Sequence, residues 1–297
     1  MNSLKPARLG IGIISAGKVG AVLGAALREA GHAIVGVHAV SEGSLTRAEA
    51  LLPGVPVLQI PEIVERSEVV LLAVPDDALE SLIAGIAATE SVQQGQIFIH
   101  TSGRHGAGVL DPVRQKGAIG LAIHPAMTFT GLSLDLARLK NTGFAVTGPA
   151  AFLPIAQALV VEMGGEPVMV AEGDRPLYHA ALAHASNHLV TIAGQAQQVL
   201  AAVGIENPAR YLEPLLRASV DNSLASGENA LTGPVARGDS QSVAVHLQEL
   251  ENFATEEGAK DISAAYLALA KATATRAHAR GALTDEALQQ VISALGE

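Results

Sequence analysis

Leu9-Gly10-Ile11-Gly12-Ile13-Ile14-Ser15-Ala16-Gly17-Lys18-Val19-Gly20, running on into Ala21-Val22-Leu23-Gly24-Ala25-Ala26-Leu27, decides the fold. Residues 9–14 are apolar on both faces and read as a short buried strand. Val19 to Ala30 is rich in Ala, Leu and Val, reads as a helix, and stops at Gly31, a natural position for a residue of left-handed backbone. A strand, a glycine turn and a helix thus stand first in the chain. The pattern repeats outward. Strands are expected at Ala33–Val37, Glu68–Val74 (stopped by Pro75), Gln96–Ile99 and Ile119–Ile123. Helices are expected at Ser44–Leu52, Pro61–Arg66 and Asp77–Ala88. Apolar strands alternating with helices predict an α/β fold, a doubly wound parallel sheet covered on both faces. Two further short strands, Phe144–Val146 and Val168–Val170, flank a helix at Phe152–Met163. Beyond residue 171 only helical periodicity remains, over 175–203, 208–224, 240–257, 261–280 and 284–295. The expected domains are 1–171, α/β, and 172–297, all-α.

Composition narrows the function. The 297 residues are 49% hydrophobic and 16% charged, so the chain is globular. Aromatics are 3% with no Trp, so the core is aliphatic. The net charge of −10 argues against a nucleic-acid surface and an anionic membrane surface. The absence of Cys excludes disulfides, thiol nucleophiles and Cys-based metal sites, and fits a cytoplasmic protein. Lys5 and Arg8 precede an apolar run, but glycines interrupt it and no A-x-A-like site follows, so no signal peptide is expected. The uncharged stretch Pro176–Ile205 holds three His and three Gln and is a poor membrane span. His184 and His188 stand four apart, but without an H-E-x-x-H glutamate no metal site is expected.

Ser15-Ala16-Gly17-Lys18-Val19-Gly20 occupies the place of the dinucleotide fingerprint G-x-G-x-x-G. There the first Gly makes the turn, the second admits the pyrophosphate, and the third packs helix on strand. Gly17 and Gly20 match the second and third. Ser15 replaces the first; a Ser can still make the turn if φ stays negative, and its hydroxyl could hydrogen-bond a phosphate. The helix N-terminus beyond offers free N–H groups to a phosphate. At the second strand's tip, Gly36-Val37-His38-Ala39-Val40-Ser41-Glu42 carries no acid where the ribose 2′-hydroxyl of NAD would be bound. Ser41, Ser44 and Arg47 could receive a 2′-phosphate, so NADP is expected over NAD, with Glu42 pulling the other way.

Ligands of such sheets sit outside the carboxyl ends of the strands. Val74-Pro75-Asp76, His100-Thr101-Ser102 and His124-Pro125 all fall there. His124, held extended by Pro125, could give a proton to a carbonyl, since an imidazole ordinarily titrates near neutrality. His100 is a second candidate. Arg237, in a loop with Thr232, Gly233, Pro234 and Asp239, could fork a carboxylate. Asp239 could pair with Arg237 or cap the next helix.

Val74-Pro75-Asp76, His100-Thr101-Ser102-Gly103, His124-Pro125-Ala126-Met127-Thr128-Phe129, Leu177-Tyr178-His179-Ala180-Ala181 with Ser186-Asn187, and Ala230 to Asp239 (ALTGPVARGD) form a set. Together they resemble the oxidoreductases in which a Rossmann-like domain precedes a DUF2520 helical domain. More distantly the chain is similar to ketopantoate reductases, pyrroline-5-carboxylate reductases and β-hydroxyacid dehydrogenases. The resemblance implies a second domain like the 6-phosphogluconate dehydrogenase C-terminal domain. It also implies a nicotinamide cofactor between the domains and a homodimer formed through the helices. The Lys-x-x-x-Asn of those dehydrogenases is matched at Asn187, but the Lys position is Ala183, so His179 or His184 is left to substitute. The expectation is an NADP-dependent reductase or dehydrogenase of a small 2-oxo acid such as ketopantoate, or of an imine. The cofactor would rest on Ser15 to Gly20, Ser41, Val74, Pro75, Asp76, Thr101 and Ser102. The alternative is a non-catalytic NADP-binding sensor.

Overall fold

The computed structural model describes residues 8–296, and Lys5 of the basic N-terminal stretch lies outside them. The chain divides into two compact units, the first ending at His184 and the second starting at Ala185.

The first unit is built on one seven-stranded sheet in the order β2-β1-β3-β4-β5-β6-β7. Its strands are β1 (Gly10–Ile14), β2 (Ala33–His38), β3 (Val69–Leu72), β4 (Ile97–His100), β5 (Ile119–Pro125), β6 (Gly143–Thr147) and β7 (Glu166–Met169). Every expected strand is present. The period of two sends alternate side chains to opposite faces. Ile11, Ile13, Leu71 and Ile99 join one core with α1 (Lys18–Glu29) and α2 (Glu42–Leu51). Ile14, Val70, Leu72 and Phe98 join another with α3 (Ile60–Arg66) and α4 (Asp76–Ala87). Each such side chain, taken fully from water, stabilises the fold by about 1.5–3 kcal/mol before entropy is counted.

The sheet is not parallel throughout. β6 runs antiparallel to β5, pairing Ala122 with Thr147 and His124 with Ala145, while β7 returns parallel to β6. A parallel pair needs a crossover, usually through a helix. Between β5 and β6 stands only the five-residue α6 (Leu134–Arg138), so the chain doubles back beside β5. The short α5 (Asp111–Arg114) after β4, and α6 itself, have no periodicity long enough to be seen in sequence. Between β6 and β7, α7 (Leu153–Glu162) matches expectation.

The long helix α8 (Arg175–Ala202) starts in the first unit. Its first turns belong there because Arg175, Tyr178 and His179 pack against the strand ends. The second unit continues with α9 (Pro208–Ser226), the single-turn α10 (Pro234–Arg237), α11 (Ser240–Glu257), α12 (Lys260–Ala279) and α13 (Asp285–Ala294). Its core, including Val243, Ala274, Ala277 and Val291, joins α10 to α13. By contrast, α9 buries one residue, Leu212. Leu189, Val190, Leu215 and Leu224 of α8 and α9 are exposed. Among the described residues no helix is long and apolar enough to cross a membrane.

Candidate functional site

Strand order reverses at β1, whose neighbours are β2 and β3, and that reversal opens the crevice where doubly wound folds bind ligands. The turn after β1 fills its floor. Gly17 is the N-cap of α1, and no side chain caps that helix, nor is there an acid in its first turn. A Cβ on Gly20 would collide with the Ser15 carbonyl oxygen and stand 3.0 Å from Ala73 Cβ, so only Gly allows α1 to sit this close to the sheet. A Cβ on Gly17 would meet nothing nearer than Ser15 Oγ at 3.5 Å, so that face of the turn is open. The condition of negative φ at Ser15 is not met. Its φ is +76°, the left-handed value a first-position Gly would take, not a negative one. The tight turn demands that backbone whatever the residue, and a side chain there costs about 1–2 kcal/mol. Ala16 ties the turn to β2 by donating to the His38 carbonyl at 2.9 Å. Lys18 is exposed and Val19 half-buried in the first turn of α1.

A cationic corner adjoins this helix end. The Cβ position of Gly131 lies 2.8 Å from Arg47 Cδ and 3.1 Å from Lys18 Cγ, so Lys18 and Arg47 meet over Gly131. Gly131 is held by Asp135, a buried carboxylate that accepts from the Thr130 and Gly131 N–H groups and from the Thr130 hydroxyl. Arg47 Nε is buried without a hydrogen-bond partner among the described residues. The hydroxyls named beside Arg47 are already engaged. Ser41 caps α2 by accepting from Ser44 N, and Ser44 Oγ, buried, accepts from Ser41 N in return. Helix capping, which the short spacing of the two serines favours, therefore takes the place expected for phosphate binding.

At the β3 end, Val74 lines an apolar groove of about 490 Å³ with Ile14, His38, Ala78 and Leu82. Pro75 is the N-cap of α4, and Asp76 pairs with Arg104 at 3.3 Å.

At the β4 end stands His100. The ring is fully buried; Nε2 bonds the Gly106 carbonyl at 2.9 Å and Nδ1 accepts from Ser102 N at 3.2 Å. Burial pushes His100 down to about 4. It organises the 101–106 turn and has no nitrogen left for a ligand. Thr101 N donates to the Leu72 carbonyl, and Ser102 Oγ accepts from His105 N.

His124, at the β5 end, is half-buried, and its Nδ1 stands 2.9 Å from the Tyr178 hydroxyl. His179 approaches the same ring edge-on, with centroids 6.2 Å apart. Gly103 makes room for both. A Cβ there would lie 2.7 Å from His179 Cδ2 and 3.0 Å from His124 Nε2. Beneath them Arg175 is completely buried. Its Nε donates to Thr147 Oγ1, and its two terminal nitrogens donate to the carbonyls of Ser102, Ala122 and Ala145. Burial, together with the charge of Arg175, pushes His124 down to about 4, so the ring is neutral near pH 7 rather than poised at neutrality. Burial pushes the Tyr178 phenol up, with Arg175 pulling the other way. Neither Arg175 nor Tyr178 stood out as chemistry in the sequence. The available signal was their spacing, 175, 178 and 179, which places all three on one face of a helix start.

In the second unit, Asn187 is exposed on α8. Arg237 ends α10, exposed. Asp239 caps α11, accepting from Ser242 N at 3.1 Å, and feels the charge of Arg237 nearby.

The comparisons agree with this architecture. Residues 1–125 match the model of a Rossmann-like domain, and residues 142–273 match that of a domain of unknown function, DUF2520. The chain thus joins a Rossmann-like domain to a DUF2520 domain. No curated protein matches it in sequence. Among solved structures, protein BF3122 from Bacteroides fragilis is 18% identical with a TM-score of 0.73, covering 92% of this chain and 100% of that one. The imine reductase of Streptomyces aurantiacus is 18% identical with a TM-score of 0.61, covering 97% of this chain and 100% of its own. Pyrroline carboxylate reductase of Plasmodium falciparum, solved with NADP bound, is 13% identical with a TM-score of 0.55, covering 90% and 98%. At these identities the likeness is one of fold.

Proposed function

We propose that this protein is an NADP-dependent oxidoreductase acting on a small carbonyl or imine compound. The observation that carries the reading is the uncapped N-terminus of α1 at the reversal of strand order, with Lys18 and Arg47 meeting beside it. A dinucleotide fits these residues. The open face of Gly17 and the free N–H groups of the first turn suit its pyrophosphate. Arg47, with a buried and unpartnered Nε, suits a 2′-phosphate. The groove of Ile14, His38 and Val74 suits the adenine. The fold it shares with an NADP-bound reductase supports the same reading. When bound, the cofactor supplies the hydride. The chain supplies the proton from the His124–Tyr178 pair and the charge of Arg175 at the ends of β4 and β5.

Substrate positioning is assigned to Asn187 and Arg237, and Arg237 favours a carboxylate, hence a 2-oxo acid such as ketopantoate before an imine. The second unit pairs with that of another copy, a homodimer that covers the exposed apolar residues of α8 and α9. The test is NADPH oxidation with a panel of 2-oxo acids and cyclic imines. Turnover of one class is expected. Tight NADPH binding with no turnover across the panel would leave a non-catalytic NADP sensor, and no binding at all would overturn the reading.

A further inference from the structure

His100, His124 and His179 gather at the ends of β4 and β5, yet the geometry around them favours a different proton donor. His100 is spent on backbone. His124 has Nδ1 on the Tyr178 hydroxyl, and its Nε2–Cδ2 edge lies against Gly103. The Arg175 guanidinium is buried with its ring-facing side 6.0 Å from the Tyr178 centroid. Among the described residues it donates to one hydroxyl and three carbonyls and to no carboxylate. The nearby Glu172 accepts instead from Ala107 N and Gly108 N. Arg175 is therefore a fixed positive charge without an ion pair among the described residues. A donor that starts neutral and ends negative gains beside such a charge; a donor that must start positive loses.

We propose that the Tyr178 hydroxyl, oriented by His124 and backed by Arg175, delivers the proton to the substrate heteroatom. This rests on the reading under Proposed function. As hydride adds to the substrate carbon, the π pair of its C=O or C=N bond moves onto the heteroatom. The heteroatom takes the Tyr178 proton and the phenol is left as phenolate. After product leaves, solvent restores that proton through His124. One hydride and one proton are consumed per turnover. Tyr178 is then the catalytic residue, and His124 and Arg175 are positioning residues.

The charged and titratable groups around the pair are Arg175 and His179 at the start of α8 and Glu172 in the turn just before it. To these is added Asp76 on α4, which is paired with Arg104. Two readouts separate tyrosine from histidine. A histidine donor must be protonated, so with His124 titrating at about 4 kcat would rise roughly tenfold per unit as pH falls toward that value. A tyrosine donor leaves kcat level through neutrality and lowers it only in the alkaline range. Tyr178→Phe is expected to lower kcat by roughly 10²–10⁴-fold at unchanged NADPH affinity. His124→Gln, which keeps a hydrogen-bonding group near the phenol, is expected to lose less. A Tyr178→Phe enzyme with kcat near the wild-type value, or a wild-type kcat that climbs with acidity, overturns the proposal.

The second readout needs no substrate. The chain has three Tyr and no Trp, so phenol ionisation is readable in the ultraviolet spectrum. Tyr178→Phe should remove one step, and Arg175→Gln should move that step to higher pH while Arg175→Lys leaves it nearly in place. A step indifferent to the charge at 175 overturns the role of Arg175. If wild type turns over no member of the panel, the assignment of function fails, and the tyrosine titration still decides whether Arg175 acts on Tyr178.

Discussion

The two glycines of the β1–α1 turn separate fold from ligand binding. In Gly20→Ala the new methyl must clear the Ser15 carbonyl oxygen, and Ala73 Cβ at 3.0 Å and Ile13 Cγ2 at 3.3 Å close its other sides. All three neighbours are backbone or core, so α1 has to move outward. That helix buries eight consecutive residues, Gly20 to Leu27, and cannot move alone. Overpacking of this kind costs about 1–3 kcal/mol. At roughly 2–4 °C per kcal/mol, Tm should fall by about 2–12 °C. Gly17→Ala places its methyl 3.5 Å from Ser15 Oγ, an ordinary contact, with φ of −69° that Ala accepts. Its stability should stay within about 0.5 kcal/mol of wild type. The methyl does cover the N–H groups expected to receive phosphate, so NADPH affinity should drop by roughly tenfold or more, about 1.4 kcal/mol. Thermal unfolding and NADPH titration of both variants form the assay. Equal Tm losses in the two, or full NADPH affinity in Gly17→Ala, would refute the division of labour.

Other consequences follow from single features. Arg47→Ala should weaken NADPH by about tenfold and leave NADH nearly unchanged, measured by paired calorimetric titrations, because only NADPH carries the 2′-phosphate. Equal losses for both would remove Arg47 from that role. His100 is neutral in the fold, with its value lowered from 6.5 to about 4. The unfolded chain therefore binds the extra proton first, and stability present above about pH 6.5 is lost as pH falls toward 4, by up to about 3 kcal/mol. Urea midpoints across that window should fall for wild type and fall less for His100→Gln; identical slopes would show that His100 is not the group. Leu189→Glu with Leu224→Glu should convert a dimer to a monomer in sedimentation, since both side chains lie exposed on α8 and α9. A monomeric wild type at micromolar concentration would contradict the pairing.

Most of the strands were legible as short apolar runs stopped by Gly or Pro, and the long helices by their length and helical periodicity. The reversal of β6 was not, because an apolar strand reads the same in either direction and the direction is set by the short connection after β5. Ser15 was placed at the right point of the turn but with the wrong backbone, since the residue type suggested negative φ and the turn overrode it. Ser41 and Ser44 were seen as polar groups near a strand tip; their mutual capping bond depends on a helix start one residue away. The site at β5 was half legible. His124 was marked by its place beside Pro125, and its neutral state came from burial first and then from the charge of Arg175, 51 positions further on in the sequence. Long-range burial of a charge leaves no local pattern, so the spacing of Arg175, Tyr178 and His179 marked a shared helix face but not the buried charge that sets their chemistry.

The most direct test of the central claim is a pair of titrations of the wild-type protein with NADPH and NADH under one buffer and salt. With no Trp in the chain, cofactor fluorescence can be followed on a low protein background. Saturable binding is expected, with NADPH at least tenfold tighter, because Lys18 and Arg47 meet beside the open turn and no acid stands at the β2 tip. Equal or reversed affinities would contradict the assignment of NADP, and no binding of either would contradict a dinucleotide site in this crevice.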